Sequence, residues 1–279
     1  MIRWGPALGV LALCHLAPAQ AQDRPPERPE GIETQPLPAA PPARPEVEDE
    51  DEDEDETSAA DAPKPQGDPP PEQAEAFGPP APPRWFTLRE SDADYAACKL
   101  ALSYLGAAYS EEPALSDPQD ADCGIARPIR VERILPDLTL EGGAVMRCDT
   151  ARALGFWARD FLRPASAMLP GAPRVVALQL GTTYDCRPRI GTGAEKPKLS
   201  EHALGNAIDI AAFVFDGQEP LAIQPRTESG DLPEAFQRAV RAAGCLFFTT
   251  VLGPGSNEAH DDHLHFDVAV RRGGWRLCQ

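Results

Sequence analysis

Apolar and polar residues alternate with a period of two near the C-terminus of the chain. This alternation predicts a strand over residues 262–270, because successive side chains of a strand point to opposite faces. Its apolar face consists of Leu264, Phe266, Val268 and Val270. His263 and His265 share the other face and should point the same way. A continuous apolar run predicts a buried strand over residues 207–215, which would hold Asp209 on a rigid element.

Similar patterns predict the remaining elements of an α+β fold. Further strands are expected at residues 129–135, 174–180 and 246–252. Helices are expected at residues 94–107, 150–161 and 232–243, from apolar residues at helical spacing. Asp94 and Asp149 are the expected caps of the first two helices, and Pro164 is expected to end the second. The predicted strands and helices do not alternate as in repeated βαβ units, which favours a mainly antiparallel sheet flanked by helices.

The first 83 residues lack the pattern of a folded domain. Residues 1–21 read as a secretory signal peptide, with one positive charge, an apolar stretch and an Ala-x-Ala cleavage site ending at Ala21. A lipoprotein signal through Cys14 is disfavoured, because Leu13 is bulky where a small residue is expected. Residues 22–83 are rich in proline and acid, and include an unbroken acidic run at residues 48–56. This composition predicts a disordered linker, either a solubilising tether or a tail that binds cations or an envelope protein partner.

The remaining residues, 84–279, are long enough for one domain with a sizeable core. Residues 1–83 carry 18 acidic and five basic residues, which account for most of the net charge of −18. The predicted domain is therefore near neutral, and nothing in it indicates a nucleic-acid partner. No second apolar stretch predicts a membrane span after signal cleavage.

Six cysteines remain once the signal peptide is removed. They are Cys98, Cys123, Cys148, Cys186, Cys245 and Cys278. An even count in an exported domain predicts three disulfides that staple the fold. Their spacing lacks Cys-x-x-Cys pairs, which argues against a cysteine zinc cluster. The sequence leaves the pairing open among about 15 alternatives.

Every histidine beyond the signal peptide lies in one of two short segments, residues 199–209 and 260–267. Histidines of an ordinary core would be scattered, so this grouping indicates a metal site. Histidine and carboxylate are good ligands for zinc, and a catalytic zinc takes three protein ligands. The candidates are His202, Asp209 and His265. Asp267 is expected to orient an imidazole rather than bind the metal, and Glu201 and Asp261 are expected to be solvated charges.

The motif around these residues resembles the LAS group of zinc peptidases, which includes lysostaphin-type, D-alanyl-D-alanine and Sonic-hedgehog-type enzymes. The shared motif is Ser200-x-His202-x-x-Gly205-x-Ala207-x-Asp209 with a distant His263-x-His265. The D-Ala-D-Ala carboxypeptidase and murein endopeptidase branch is the most similar. Residues from about 95 to 279 also resemble bacterial extensin-like C-terminal domain proteins. The matching pieces are Cys123-Gly-Ile-x-x-Pro, Tyr184-Asp-Cys-Arg187, Lys198-Leu-Ser-Glu-His202 and His260-x-Asp-His-Leu-His265.

The resemblance implies a LAS or hedgehog-like core with one zinc ion per chain, bound by His202, Asp209 and His265. Asp262 stands where the dipeptidase branch has a glutamate that acts as general base, and it is a shorter acid. His263 matches the histidine that serves near the water in the endopeptidase branch. Arg187 stands where the branch often places a basic residue that polarises the scissile carbonyl or holds a carboxylate; otherwise it is a surface residue in a turn.

Two functions of different class follow. The first is an exported zinc peptidase, in the periplasm or elsewhere in the cell envelope, that cleaves peptidoglycan stem peptides or cross-links. Its action would be that of a murein endopeptidase or of a D,D- or L,D-carboxypeptidase. The second is a non-catalytic module that binds the envelope or a polymer, with a structural or vestigial metal site. A fold resemblance alone does not establish activity.

Overall fold

The computed structural model describes residues 81–191, 193–226 and 229–279. The predicted signal peptide and residues 22–80 of the predicted linker lie outside this part of the chain. Within it, no helix combines the length and the apolar character that crossing a membrane requires.

Eleven strands are found in the described residues. They are β1 (Ala108–Glu111), β2 (Leu115–Ser116), β3 (Gly124–Ile125), β4 (Pro128–Leu135), β5 (Leu138–Arg147), β6 (Val175–Leu180), β7 (Ala207–Phe215), β8 (Leu221–Ala222), β9 (Thr250–Leu252), β10 (Leu264–Asp267) and β11 (Leu277–Cys278). Nine form one sheet in the order β1-β4-β5-β6-β7-β10-β9-β11, with β8 paired to β7. Strands β2 and β3 form a separate pair.

The large sheet is mixed. Strands β5 and β6 are parallel, and so are β9 and β11; the other neighbours, such as β6 and β7 or β7 and β10, are antiparallel. The helices of the described part are α1 (Arg84–Thr87), α2 (Asp92–Leu105), α3 (Cys148–Trp157), α4 (Arg163–Ser166) and α5 (Leu232–Gly244). The α+β prediction is thus confirmed.

Two helix boundaries differ from the prediction. Helix α2 begins earlier, and its cap is Ser91, whose hydroxyl accepts a hydrogen bond from the backbone N–H of Asp94. Helix α3 begins after Arg147 and runs through a π-helical turn, Ala158–Leu162, directly into α4. Pro164 therefore does not end the helix. It is the second residue of α4, which directly follows the π-helical turn.

The sheet also contains a long strand that the pattern did not predict. In β5 the alternation is interrupted by Gly142 and Gly143, whose φ angles are 80° and 71°. The pairing of β5 with β4 shifts register beside them, between Val131 and Arg133. An irregularity of this kind hides a strand from a period-two search. Strands β9 and β10 are also shorter than predicted, since the chain turns before each of them.

An aromatic cluster packs helices α3 and α5 against the sheet. The Trp157 ring lies 5.1 Å from Phe266 of β10 and 6.5 Å from Phe213 of β7, measured between ring centroids. Its indole N–H donates a 2.9 Å hydrogen bond to the carbonyl of Val240 in α5. Because these residues are fully buried, the two strands that carry Asp209 and His265 have a rigid support on this face.

Three disulfides are present, as predicted. They join Cys98 to Cys148, Cys123 to Cys186, and Cys245 to Cys278. The first ties α2 to the start of α3, the second ties the end of the β2–β3 connection to the loop after β6, and the third ties the end of α5 to β11. Each closes a long loop of the chain, which is the case in which a disulfide most restricts the unfolded state.

A buried ion pair joins the segment before α2 to the end of β5. The Glu90 carboxylate accepts hydrogen bonds from the Arg147 guanidinium at 2.8 Å from Nε, with Nη2 at 2.7 Å. The side chains are 4% and 13% exposed, respectively. Arg147 also donates to Asn206 Oδ1 at 2.8 Å. The residues just before α2 are thereby anchored to the interior of the domain.

Replacing Glu90 by alanine should lower the free energy of unfolding by about 3 kcal/mol, because it leaves the Arg147 guanidinium buried without its carboxylate. Urea unfolding followed by circular dichroism measures this loss. Replacing Asp216 by alanine is the matched control, since it removes an exposed pair with Arg174 and should cost less than about 1 kcal/mol. Equal losses in the two variants would contradict the structural role of Glu90.

Candidate metal centre

His202 is placed by a short 3-10 helix, Glu201–Leu204, that lies between the loop after β6 and strand β7. The Ser200 hydroxyl caps this turn by accepting from the N–H of His202. Gly205 ends it with a φ of 66°, and a Cβ there would lie 2.4 Å from Ile125. Only glycine fits this position, so the turn that directs the His202 side chain inward depends on it.

Asp209 and His265 face each other across two antiparallel strands. The register of β7 and β10 pairs Asp209 directly with His265. Asp209 is also fixed from the other side, because its backbone N–H donates to the Thr182 carbonyl and its carbonyl accepts from Gly181, both at 2.9 Å. Side chains of directly opposed residues lie on the same face of a sheet, so the two ligand candidates meet.

The side chains of His202, Asp209 and His265 converge on one point. His202 Nε2 lies 3.1 Å from His265 Nδ1 and 3.2 Å from Asp209 Oδ1, and His265 Nδ1 lies 3.0 Å from Asp209 Oδ1. Ligands at zinc–ligand distances in a tetrahedral site lie about 3.3 Å apart. The donor set therefore fits a zinc-like ion. A second group, Asp120 with Cys123 and Cys186, does not fit, because its cysteines form a disulfide.

The outer nitrogen of each imidazole is held by a second partner. His202 Nδ1 lies 2.8 Å from the Thr183 carbonyl, and His265 Nε2 lies 3.2 Å from Asp267 Oδ2. Metal-binding histidines commonly donate their other N–H to a carbonyl or carboxylate, which sets the tautomer and the ring orientation. Asp267 thus lies where the sequence predicted an orienting acid. The Thr183 carbonyl has no counterpart in the prediction, because backbone atoms leave no residue-type signal.

The electrostatics of the metal-free cluster favour a protonated His265 between two carboxylates. Burial alone would lower the pKa of His265, but its hydrogen bonds to Asp209 and Asp267 outweigh that effect and raise the pKa to about 9. Burial likewise opposes ionisation of Asp209, yet the two histidines hold the pKa of its carboxyl well below the usual range. A proton therefore occupies the nitrogen that a metal ion would need.

His263 and Asp262 lie at the edge of this cluster. His263 Nε2 is 3.7 Å from Asp209 Oδ1, and His263 Nδ1 is 2.8 Å from Asp262 Oδ1. The Asp262 side chain is 91% exposed, whereas that of His263 is 19% exposed. The structure thus brings His263 beside the ligand candidates, and Asp262 faces the opposite side of the His263 ring.

Arg187 follows Cys186 of the second disulfide in the loop after β6. Its Nε donates a 2.9 Å hydrogen bond to Asp185 Oδ2, and its side chain is 27% exposed. It is close enough for its positive charge to contribute to a lowered pKa of His260. In the described part of the chain, Arg187 is thus paired with Asp185 and has no hydrogen bond or ion pair with the three ligand candidates.

His260 belongs to the site, although the sequence assigned it no role. Its ring lies 5.2 Å from that of His263 and 5.7 Å from that of His265, between centroids. Burial, followed by the charges of His265 and His263, lowers the pKa of His260 to about 4. His260 Nδ1 lies 2.7 Å from Asn257 Oδ1. The signal in the sequence was that His260 lies in the same short segment as His263 and His265.

Glu201 is not the solvated charge that was predicted. Its side chain is 5% exposed, and its carboxylate accepts from Asn206 Nδ2 at 2.7 Å and from Arg189 Nη2 at 3.1 Å. Arg84 lies 3.7 Å away. Asp261 is half-buried and accepts from the N–H of Gly255. Glu201 was misread because its cationic partners are distant in sequence.

Zinc binding should strengthen as the pH rises, because zinc must displace the proton from His265. The pKa of His265 is about 9 in the folded protein, above its ordinary value of 6.5, so His265 is protonated at neutral pH when no metal is bound. We expect the apparent zinc affinity to rise about tenfold per pH unit between about pH 6 and pH 8. Competition with a chromophoric chelator measures it, and an affinity that does not change with pH would contradict the assignment.

Comparison with known families matches residues 96–279 to the extensin-like protein C-terminus. Comparisons with curated proteins and with solved structures find no match. The family match covers most of the chain, and it includes His202, Asp209 and His265 together with strands β7 and β10 that position them. The chain therefore belongs to the extensin-like protein C-terminus family.

Proposed function

We propose that this protein is an exported zinc-dependent peptidase that hydrolyses peptide bonds in peptidoglycan stem peptides or cross-links. The observation that carries the proposal is the convergence of His202 Nε2, Asp209 Oδ1 and His265 Nδ1, which lie 3.0 to 3.2 Å apart. The outer partners Thr183 and Asp267 support it, because they hold both imidazoles in the orientation that metal binding requires.

Export and substrate class rest on separate arguments. The three disulfides are typical of an oxidising environment outside the cytoplasm, and the predicted signal peptide agrees with export. We propose the periplasm as the compartment. The substrate class follows from the resemblance of the His202–Asp209 and His263-x-His265 motifs to the LAS group. The family match names an extensin-like region and does not itself describe a reaction.

Each residue of the site has a role in this proposal. His202, Asp209 and His265 would hold the ion. When bound, zinc supplies a Lewis acid that polarises the scissile carbonyl and makes water acidic enough to react near neutral pH. His263, whose Nε2 points into the site, would take the proton of the attacking water and donate it to the leaving amine.

In this proposal the base function is divided between two neighbours, His263 and Asp262. The Asp262 carboxylate lies 2.8 Å from His263 Nδ1 and is exposed to solvent, so it would orient the imidazole and stabilise its charged form. His263 would be the group that exchanges protons with the substrate. Arg187, at the edge of the histidines, would bind the scissile carbonyl or a substrate carboxylate, for which a planar guanidinium is suited.

A structural metal site in a non-catalytic envelope module is the second candidate. The observation that favours it is burial, since His202 is 1% exposed, Asp209 3% and His265 9%. Structural zinc sites are typically closed, whereas catalytic sites keep an open position. The half-buried His260 and the largely buried His263 lie beside this cluster and further limit its exposure.

His265→Ala and His263→Ala should separate the two candidates. We expect His265→Ala to lose bound zinc and activity together, because it removes a ligand. His263→Ala should keep about one zinc per chain and lose about 10²- to 10⁴-fold in turnover, because it removes only the proton-transfer group. Metal analysis and chromatography of digested muropeptides give the two readouts.

The same two measurements also test each part of the proposal separately. Digestion of muropeptides by His263→Ala at the wild-type rate would exclude His263 as the base. A wild-type chain that takes up no zinc after zinc is supplied would exclude the metal centre itself. Zinc uptake without any digestion would favour the structural candidate.

Asp262→Asn should reduce kcat about tenfold, with zinc content and KM unchanged, because the carboxylate orients His263 without contacting the substrate. Asp261→Asn is the matched control, since Asp261 is the neighbouring acid but contacts Gly255. Steady-state kinetics on a muropeptide would show the difference. Equal rates for the two variants would leave Asp262 without a catalytic role.

A further inference from the structure

A shallow cleft lies beside the histidines. It is lined by Gly191, Asn257, Glu258 and Ala259. The last three belong to the segment that leads directly into His260, and the His260 ring packs near those of His263 and His265. A ligand that occupied this cleft would therefore extend towards the proposed metal centre.

The residues that line the cleft come from two segments of the chain. The first, here called the basic wall, comprises residues 187–191 and 193–199. Its two ends run side by side, since Pro188 pairs with Leu199 and the backbone N–H of Arg189 donates a 2.9 Å hydrogen bond to the Lys198 carbonyl. The second, here called the acidic wall, comprises residues 253–263. Gly191 of the basic wall lies across from the acidic wall, because a Cβ on it would be 3.5 Å from Asn257 Oδ1.

The two walls carry opposite charge. The basic wall contains four cationic residues and one acid: Arg187, Arg189, Lys196 and Lys198, with Glu195. The acidic wall contains three acids and no lysine or arginine: Glu258, Asp261 and Asp262. Arg187 and Arg189 of the basic wall are already paired with Asp185 and Glu201, so the charge of the cleft lining itself comes from Glu258.

Glu258 is the acid of this wall that is available to a ligand. Asp262 is held by His263, and Asp261 accepts from the N–H of Gly255. Glu258 is exposed, lines the cleft, and has no ion pair among the described residues. Next to it, Asn257 Oδ1 accepts from the N–H of Ala259 and contacts His260 Nδ1, so the Asn257 amide nitrogen remains as a donor for a substrate carbonyl.

We propose that Glu258 forms a subsite for an ammonium group of the substrate. The preferred peptide would then carry an ammonium group on the side of the cleft that Glu258 lines. The identification of the ligand as a peptide rests on the proposed function, whereas the ammonium preference rests on the charge and the position of Glu258.

A direct binding experiment tests the subsite. The probes are N-acetyl-lysyl-D-alanyl-D-alanine, which carries a free amine and a carboxylate, and the same peptide acetylated on the lysine amine. Their Kd values are measured by calorimetry on the zinc-loaded full chain carrying His263→Ala, whose residual turnover we expect to be too slow to consume the peptide during a titration. Glu258→Gln and Glu258→Lys are compared with Glu219→Lys, an exposed residue in the turn after β7 that gives the same change of charge.

We expect the free-amine peptide to bind up to about fivefold more tightly than the acetylated one, as for a solvent-exposed ion pair. Glu258→Gln should abolish the preference, Glu258→Lys should reverse it, and Glu219→Lys should leave it unchanged. High salt should weaken the preference, because it screens exposed charges. Equal affinities for the two probes, or a preference that survives Glu258→Lys, would overturn the subsite.

Hydrolysis is measured separately, on the chain with His263 intact. If the probes bind with the expected preference but neither is cleaved, the ammonium subsite stands and the proposed peptidase activity fails. If the free-amine peptide and the acetylated peptide are cleaved at the same rate, and Glu258→Lys changes the KM of neither peptide, the peptidase activity stands and the subsite fails.

Discussion

The structure depends on the antiparallel pairing of β7 with β10. This register places Asp209 opposite His265, and neither residue could be shifted by one position without turning its side chain into the aromatic core around Trp157. His202 joins them from a separate turn. Only glycine fits at position 205, where this turn ends next to the Ile125 side chain. The convergence of the three ligand candidates is thus a consequence of sheet register, and the buried ring cluster on the other face keeps that register in place.

A polar network supports the site from behind. Glu201, which precedes His202, is bound by Asn206, and Asn206 in turn accepts from Arg147, the partner of Glu90. Glu90 lies before the region that matches the family, which begins at residue 96. The support of the site therefore extends beyond the matched region, and the segment that follows the predicted linker contributes to it.

The site combines a closed centre with a charged approach. The three ligand candidates are buried, and Asp209 and Asp267 raise the pKa of His265. The neighbouring cleft, in contrast, is shallow and has the exposed Glu258 in its lining. In the proposed function, binding of the metal would therefore depend on pH, while Glu258 would select ligands through a weak ion pair that salt screens.

The sequence by itself determined what depends on local periodicity and residue type. The buried strand of Asp209 was predicted with its observed ends, Ala207–Phe215, and the grouping of histidines pointed to the residues that converge. Only the tertiary structure decided the pairing of the cysteines, the parallel neighbours β5 and β6, and the burial of Glu201. These depend on contacts between residues far apart in the chain, such as Glu201 with Arg84, and a periodic pattern carries no information about which distant segments will meet.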